Sequence, residues 1–353
     1  MTPLERWTAR AAFALGQSGR VAWYAGHGAV MRRMVNRLEA ESDVPRRVIP
    51  RPSRPVPGMR RLLADVAALL ACDLANAEAG FYPLPQDGDG ALPELIARSR
   101  AFFLDVPEVV RRRRANVADE VAAAPETPRP DYYLQNFHFQ SGGWMTEDSA
   151  RLYDMQVEVL FFGAGNAMRR QALVPMAEAL KGRDQRNVIY ADIASGPGTF
   201  LGQVRRAFPR LPAVAIDLSE PYLREGRRRL GRLPKLQHVV AKAEALPLAD
   251  ASLDMATSIF LFHELPPDVR RFVADEIARV VKPGGLFVLV DSLQTGDEPD
   301  YDGLLELFPS LFHEPYFTGY LADDMEALFE EAGFAVESGA NAFLAKVLAL
   351  RRR

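Results

Sequence analysis

One segment near the middle of the chain constrains the fold more than any other. In residues 188–198 the apolar run Val-Ile-Tyr-Ala-Asp-Ile-Ala leads directly into Ser-Gly-Pro-Gly, and a helical pattern begins at Thr199. Glycine permits a close backbone approach, and the free N–H groups at the start of a helix bind anionic groups. The segment therefore predicts a β-strand, a ligand-binding turn and a helix, although a purely structural turn has the same pattern.

Apolar runs alternate with helical patterns throughout the C-terminal half. Such alternation is typical of βαβ units, in which helices cover both faces of a largely parallel sheet. The predicted strands lie at 187–193, 213–217, 236–241, 253–260 and 285–291, with a closing antiparallel pair near 334–339 and 342–350. The fold class expected here is therefore α/β, with a mostly parallel sheet that ends in an antiparallel C-terminal hairpin.

The N-terminal part has a different pattern, in which helical segments are separated by prolines. Residues 44–58 hold five prolines and predict an extended linker. Helices are expected at 59–76, 91–104 and 107–124, and the prolines that follow place a boundary near residue 130. A chain of 353 residues is long enough for two domains. We therefore expect an all-helical domain at 1–130 and an α/β domain at 131–353.

Charge is unevenly distributed along the chain. Residues 1–61 contain 12 arginines and four acidic residues, whereas the whole chain has a net charge of −3. With Trp7, Phe13, Trp23 and Tyr24, this basic start is suited to peripheral contact with anionic lipid or an acidic partner. The alternative is an arginine-rich helix solvated on one side and packed on the other. Two further roles are expected for the helical domain. It could cover the substrate as a lid, or form the interface of a homodimer.

Composition limits the cellular setting and the kinds of site. The single cysteine, Cys72, excludes an internal disulfide and any zinc site built on paired cysteines. No apolar run approaches the roughly 18 to 20 residues that cross a bilayer, and no signal-peptide pattern is present. These features predict a cytoplasmic protein, peripheral at the membrane if the basic N-terminus contacts lipid. The negative net charge argues against a nucleic-acid partner.

Asp217 supplies a second signal for the same ligand site. It ends the apolar run Val-Ala-Ile-Asp, 25 residues beyond Asp192, and an acid after the second strand can accept the hydroxyls of a ribose. A helix cap beside Ser219 would explain the residue but not the spacing. The turn lacks the third glycine that a pyrophosphate requires, because Leu201 stands at that position. A cofactor without phosphates is therefore expected.

These motifs resemble class I, Rossmann-like S-adenosylmethionine-dependent methyltransferases, close to the ubiquinone/menaquinone C-methyltransferase type (methyltransferase type 11). The resemblance covers about 130–353 and extends through the stretches at 241–266 and 278–291. It implies S-adenosylmethionine as cofactor, S-adenosylhomocysteine as product, and a small hydrophobic or aromatic acceptor of quinone-like or natural-product type. The alternative is a non-catalytic S-adenosylmethionine-binding regulatory or scaffold protein. The fourth strand ends in Phe-His-Glu-Leu, which is unlike nucleic-acid methyltransferases.

The resemblance also assigns cofactor contacts in this chain. They are Asp192, Ala194, Ser195, Gly196, Gly198, Asp217, Leu218, Ala243, Glu244, Ser258 and Phe260. Tyr153 would close over the cofactor, with ordinary helix packing as the alternative. Ala194 replaces a usual glycine and is tolerated if its φ stays negative. Lys242 replaces a usual aspartate beside the adenine, which leaves Glu244 or solvent as the acceptor for the adenine amino group.

Two sets of residues are candidates for catalysis and for contact with the substrate. His263, with Glu264, is the candidate general base because a histidine pKa lies near neutral pH, although His263 alternatively orients Glu264 or caps the next helix. The substrate candidates are Tyr133, His138, Trp144, His313, Tyr316 and Tyr320. The first three alternatively form interdomain packing, and the last three a surface insert. Methyl transfer requires alignment and no metal, so no metal site is expected.

Overall fold

The computed structural model describes residues 2–41, 49–87, 90–123, 129–231 and 235–353. In that part of the chain a seven-stranded sheet has the order β3-β2-β1-β4-β5-β7-β6. The strands are β1 (Tyr190–Ile193), β2 (Ala213–Asp217), β3 (Leu236–Val240), β4 (Leu253–Ile259), β5 (Val281–Ser292), β6 (Phe334–Ala342) and β7 (Ala345–Arg352). The predicted strands are confirmed, with β5 starting earlier than expected.

The direction of the strands matches the expected fold class. Strands β1 to β5 pair in parallel, and β7 is antiparallel to both β5 and β6. Every residue of β1 is buried, as is typical of a central strand covered by helices on both faces. The chain order reverses between β1 and β4, and a switch of this kind opens a crevice at the carboxyl ends of the strands.

Three long helices make up most of the N-terminal part. They are α1 (Pro3–Ala40), α2 (Met59–Glu78) and α3 (Leu92–Ala115). Helix α1 begins with a capping box between Thr2 and Glu5. The prediction of separate helices on the two sides of Pro107 is wrong, because α3 continues through that proline. The helix keeps one buried face there, formed by Phe102, Val106 and Val110.

The helical part packs directly on the sheet domain. The expected apolar stripe of α2 is confirmed, since Leu62, Val66 and Leu69 are buried in the same hydrophobic core as the strands. Residues 49–58 of the proline-rich segment contain no helix or strand, and its residues 44–48 lie outside the described part. Among the described residues, no helix is both long and apolar enough to cross a membrane.

The remaining helices surround the sheet. They are α4 (Glu147–Leu160), α5 (Gly165–Arg170), α6 (Leu173–Leu180), α7 (Thr199–Ala207), α8 (Glu220–Leu230), α9 (Pro267–Val280), α10 (Asp302–Leu311), α11 (Phe317–Ala322) and α12 (Met325–Glu331). Helices α10 and α11 form the insert between β5 and the last helix. They bring this insert to the edge of the sheet where the candidate site lies.

Candidate functional site

The bend after β1 has an unusual backbone. Ala194, Gly196 and Gly198 have φ angles of 58°, 55° and 75°. The expectation that Ala194 keeps a negative φ is therefore wrong, and an alanine in this region costs roughly 1 kcal/mol or more relative to its usual conformations. A Cβ at position 196 would point into open space, whereas at 198 it would lie 3.0 Å from the side chain of Leu230. Glycine is thus favoured by conformation at 196, and at 198 a side chain would also require Leu230 to move.

Asp217 holds the bend against the loop that follows β2. Its carboxylate accepts hydrogen bonds from the backbone N–H of Gly196 at 2.8 Å and of Ser219 at 2.7 Å. Burial raises the pKa of Asp217 to about 6, although these N–H donors favour the ionised form. Ser219, and not Asp217, caps helix α8 by accepting from the backbone N–H of Tyr222. The helix-cap explanation of Asp217 is therefore incorrect.

Asp192 lies behind the bend with a free carboxylate oxygen. Its side chain is buried, and Oδ1 accepts a hydrogen bond from the Thr257 hydroxyl at 2.7 Å, while Oδ2 has no partner. Burial raises the pKa of Asp192 to about 7, and the nearby charge of Asp217 acts in the same direction. The hydroxyls of Ser195 and Ser258 are also buried without a partner. Unpaired buried polar atoms around one bend suit a polar ligand.

A first cavity opens above the bend. The predicted site residues that line it are Tyr133, Trp144, Tyr153, Ala194, Gly196, Asp217, Leu218, Ala243, Phe260 and Glu264. Five other predicted cofactor contacts do not line it, namely Asp192, Ser195, Gly198, Glu244 and Ser258. Tyr132, Ser219 and Tyr222 line the cavity but were not predicted as site residues. Tyr132 and Tyr133 belong to one aromatic-rich stretch, residues 132–144, so that stretch held a usable signal.

Glu244 is already engaged in this structure. Both of its carboxylate oxygens accept from the Tyr132 hydroxyl, at 2.9 and 3.0 Å, and the ammonium of Lys242 lies 3.6 Å away. The carboxylate therefore links the aromatic-rich stretch to the loop after β3. The sequence suggested Glu244 as an acceptor for an adenine amino group, and in this structure its carboxylate already accepts from Tyr132.

Aromatic side chains close the first cavity from above. We call Tyr133, Phe137, Trp144, Tyr153 and Tyr222 the aromatic cover. The rings of Trp144 and Tyr153 lie 5.6 Å apart, and each lies 5.7 Å from the ring of Tyr222. These contacts are edge-on, the geometry that aromatic pairs favour. The cover joins the segment before α4 to helices α4 and α8.

A second cavity adjoins the first and has a volume of about 400 Å³. Tyr153, Phe260 and Glu264 line both cavities. Most of the other lining residues come from the helical part, α4 and the insert, and most are apolar; they include Gly28, Met31, Val35, Leu62, Val157, Leu304, Phe308, Phe312 and Phe317. A mostly apolar cavity with few polar groups is typical of a small-molecule site.

His263 is paired with a carboxylate and lines the second cavity. Its Nδ1 lies 2.5 Å from Oδ1 of Asp291, whose other oxygen accepts from the backbone N–H groups of Leu261 and Phe262. Burial alone would lower the pKa of His263, but Asp291 raises it to about 9. The prediction of a near-neutral base did not include Asp291, which favours the protonated imidazole.

The remaining substrate candidates occupy different positions. His138 lines the second cavity, whereas His313 and Tyr316 line neither cavity and both bond to Gln135, at 2.7 and 2.9 Å. Tyr320 is fully buried, and its hydroxyl donates to the carbonyl of Ser292 at 2.6 Å. Tyr320 therefore belongs to the core. His313 and Tyr316 connect the insert to the aromatic-rich stretch through their bonds to Gln135.

The bend after β1 and the first cavity together fit the polar end of S-adenosylmethionine in their chemistry, although Asp192, Ser195 and Ser258 do not line the cavity itself. Asp192 has a free carboxylate oxygen, the hydroxyls of Ser195 and Ser258 are unpaired, and the space above Gly196 is open. The free volume is about 110 Å³, below the roughly 300 to 1,000 Å³ of small-molecule pockets.

Comparison with known proteins places these residues in a family context. Residues 191–285 match the family described as Methyltransferase domain. Demethylmenaquinone methyltransferase of Beutenbergia cavernae is 34% identical over 147 residues, which are 42% of this chain and 56% of that protein. The ubiquinone/menaquinone biosynthesis C-methyltransferase UbiE of Methylobacterium nodulans is 28% identical over 208 residues, 53% of this chain and 79% of that protein.

An uncharacterized 37.1 kDa protein in transposon TN4556 of Streptomyces fradiae is 29% identical, covering 46% of this chain and 47% of that protein. Among solved structures, a sarcosine dimethylglycine methyltransferase described as putative, from Galdieria sulphuraria, has a TM-score of 0.43 and 14% identity, and it covers 54% of this chain and 88% of that one. The chain spans about half the length of the first curated relatives it matches. Residues 191–285 therefore resemble a methyltransferase domain, and the chain is similar to S-adenosylmethionine-dependent class I methyltransferases of the UbiE type.

Proposed function

We propose that the protein transfers a methyl group from S-adenosylmethionine to a small hydrophobic or aromatic acceptor. The observation that carries this proposal is the meeting of two cavities at Tyr153, Phe260 and Glu264. One cavity lies beside a glycine bend and a carboxylate, and the other is large and apolar. This arrangement suits two ligands that must react at a shared boundary, and the similarity to methyltransferases supports it.

Residues of the first cavity would hold the cofactor. Asp217 would bind the ribose hydroxyls, Asp192 the ammonium group from behind the bend, and the backbone N–H of Ala243 the adenine. When bound, S-adenosylmethionine supplies an electrophilic methyl group on a sulfonium. Gly196 leaves the space that a close ligand requires, because any side chain there would project into the cavity.

The residues at the boundary between the cavities would align the two reactants and exclude water. Phe260 has a φ of 59°, a strained conformation that non-glycine residues adopt mainly where function or packing imposes it. Its ring stacks on Phe161 at 5.9 Å, and the guanidinium of Arg169 lies 5.7 Å from it. In-line methyl displacement depends mostly on such positioning. We assign Phe260 and Tyr153 the role of aligning the reactants.

We propose that the helical part belongs to the acceptor site. Gly28, Met31 and Val35 of α1 line the second cavity opposite the insert residues Phe308 and Phe312. Their side chains present aliphatic and aromatic carbon, and transfer of an apolar acceptor into such a cavity is favoured by about 25 cal/mol per Å² buried. A quinone-like or other planar aromatic acceptor is therefore the preferred class.

Cofactor binding is the first test of this proposal. Isothermal titration should give micromolar affinity for S-adenosylmethionine and S-adenosylhomocysteine. Asp217→Ala should weaken both by about 100-fold, since a hydrogen bond to a charged group contributes roughly 1.5 to 3 kcal/mol. Gly196→Val should abolish binding. Asp184→Ala, which removes an exposed carboxylate paired with Arg186, is the matched control and should bind normally.

Product formation separates an enzyme from a scaffold. The protein is incubated with S-adenosylmethionine and a library of phenols, quinols and polyketide-like aromatics, and methylated products are measured by mass spectrometry. Methylation that requires Asp217 supports the proposal. Tight cofactor binding without any methylated product across the library contradicts it and favours the regulatory alternative.

We also propose that the protein resides in the cytoplasm and that α1 contacts anionic membrane there. Leu4, Trp7 and Leu15 are 71%, 67% and 78% exposed, and their spacing places them on one helix face. Binding to vesicles with 30% phosphatidylserine should exceed binding to neutral vesicles and should fall in a Leu4→Ser, Trp7→Ser variant. Equal binding to both vesicles contradicts this, and a doubled mass in light scattering would show that the face pairs two copies.

A further inference from the structure

Three side chains capable of binding a metal converge at the boundary between the two cavities. They are His138 from the aromatic-rich stretch, Glu264 from the turn after β4, and Glu314 from the insert between α10 and α11. One ligand atom of each lies within 4.8 Å of the ligand atoms of the others. His138 and Glu264 line the second cavity, so the cluster borders the space assigned above to the acceptor.

The carboxylate of Glu314 is buried, and its surroundings do not provide well-formed hydrogen bonds to it. The residue is 2% exposed, and neither carboxylate oxygen has a hydrogen-bond partner. Nε2 of His138 is in ion-pair contact with Glu314 but likewise lacks a well-formed hydrogen bond. A buried carboxylate is strongly unfavourable unless a cation or several donors compensate it. Oε1 of Glu314 is offset by that contact with His138, whereas the buried Oε2 has no partner and is an independent indication of a missing cation.

Backbone hydrogen bonds hold the segments that carry the three side chains. The backbone N–H of His138 donates to the carbonyl of His313 at 3.2 Å, which ties the first ligand to the residue next to Glu314. The turn that contains Glu264 is fixed by Asp291, which accepts from the backbone N–H of Phe262 at 2.7 Å. Ligands held on a rigid support are what a metal site requires.

We propose that His138, Glu264 and Glu314 bind one divalent transition-metal ion, such as Mn²⁺ or Fe²⁺, with open coordination positions toward the second cavity. One imidazole and two carboxylates form a mixed nitrogen and oxygen set, which these ions accept readily. Two carboxylates also give the charge that compensates a divalent cation. No metal was expected, since methyl transfer requires none, and the three ligands come from distant stretches with no local ligand spacing.

The metal would also restrict the acceptor, and this step rests on the proposed function. An ion with open positions on the wall of an apolar cavity binds molecules that carry two neighbouring oxygen atoms, such as a catechol or a hydroxyketone. The apolar walls would hold the rest of the molecule. The acceptor class thus narrows from aromatic compounds in general to those that chelate a metal through oxygen.

Direct titration tests the metal site without any activity measurement. The full-length protein is treated with a chelator, dialysed and titrated with Mn²⁺, and the free ion is followed by electron paramagnetic resonance. We expect one bound ion per chain and electron spin echo modulation from one imidazole nitrogen. Binding of fewer than 0.2 ions per chain for Mn²⁺, Fe²⁺ and Zn²⁺, or a bound ion without nitrogen coupling, would overturn the proposal.

Ligand variants localise the ion. Glu314→Gln and His138→Gln should each weaken Mn²⁺ binding at least tenfold, while Glu337→Gln and His238→Gln, at an exposed salt bridge and on β3, should not. If Glu314→Gln does not fold, as judged by circular dichroism, the nitrogen coupling in the wild-type protein remains decisive. Unchanged Mn²⁺ affinity in both folded ligand variants would show that the ion lies elsewhere and would refute the assignment.

The same protein separates failure of this proposal from failure of the proposed function. The wild-type chain is titrated with S-adenosylmethionine before and after removal of metal. Cofactor binding without stoichiometric metal binding leaves the methyltransferase proposal intact and removes the metal site. Stoichiometric metal binding without cofactor binding leaves the metal site intact and removes the methyltransferase proposal.

Discussion

The two cavities differ in how their walls are assembled along the chain. Most of the first cavity comes from consecutive βα units between Ile193 and Leu265, with the aromatic cover added from the stretch before them. The second cavity draws on residues from Gly28 to Leu344 and includes helices of the N-terminal part, α4 and the insert. The binding site for a common cofactor is thus built locally, whereas the acceptor site depends on long-range packing.

If the acceptor site depends on long-range packing, then breaking the junction between the helical part and the sheet should have the largest effect. Arg170 of α5 donates to Asp73 of α2 at 2.6 Å and to Asp87 at 2.6 Å, and all three side chains are buried. Arg170→Ala should lower the free energy of unfolding by about 3 to 5 kcal/mol, because two carboxylates lose their buried partner. Urea denaturation measures this change.

The exposed pair of Arg10 and Glu78 provides the matched control for that prediction. It also joins α1 to α2, but Arg10 is 59% exposed, and surface ion pairs contribute at most about 1 kcal/mol. Arg10→Ala should therefore change stability little. A loss in Arg170→Ala no greater than in Arg10→Ala would mean that the junction does not depend on this buried network.

The cofactor side should show its own pH dependence. Burial raises the pKa of Asp192 to about 7 in the folded chain, above the usual value near 4 of an unfolded chain. The folded state therefore binds more protons, and stability without cofactor should fall by roughly 1 to 3 kcal/mol as pH rises from 5 to 8. Asp192→Asn should reduce this fall, as measured by urea unfolding at each pH, and the fall that remains comes from Asp217, whose pKa is also raised by burial. If the dependence of stability on pH is unchanged in Asp192→Asn, the attribution of this dependence to Asp192 is contradicted.

Local pattern was enough to predict the cofactor side. The strand positions, the bend after β1 and Asp217 all follow from residues that are close in sequence, because a βαβ unit brings successive strand ends together. The sign of φ at Ala194 did not follow, since an alanine gives no sign that the backbone is left-handed. The continuous helix through Pro107 was missed for a related reason, because buried packing overrides a local breaker.

The acceptor side was predictable only in part. His138 was identified as a substrate candidate and lines the second cavity, but Gly28 and Met31 of α1 carry no local signal that they line it with Phe308. The pKa of His263 depends on Asp291 at the end of the adjacent strand β5. The convergence of His138, Glu264 and Glu314 likewise follows from tertiary contacts. Sequence patterns predict helices and strands. The cavity lining, the pKa of His263 and the convergence of the three ligands depend on which helices and strands pack against each other.

A substitution in α1 tests whether the acceptor side can be changed alone. Gly28 lines the second cavity, and a Cβ there would lie 3.9 Å from Val159, an ordinary contact. Gly28→Ala should therefore fold and bind normally, whereas Gly28→Phe should occupy the cavity and raise the acceptor KM about tenfold, which corresponds to about 1.4 kcal/mol. S-adenosylmethionine affinity should stay within twofold in both. A parallel loss of cofactor affinity would show that the two cavities are not independent.

The smallest expected effect concerns the bend itself. Ala194 adopts a φ of 58°, where a Cβ is unfavourable by roughly 1 to 2 kcal/mol, while glycine costs about 0.5 to 1 kcal/mol more conformational entropy on folding. Ala194→Gly should therefore stabilise the protein by about 0.5 kcal/mol. Ala245→Gly, at an exposed position outside the left-handed region, should destabilise it by a similar amount. Because the two substitutions are chemically identical, opposite signs of the change in urea midpoint would isolate backbone strain at the bend, and equal losses would show that Ala194 is unstrained.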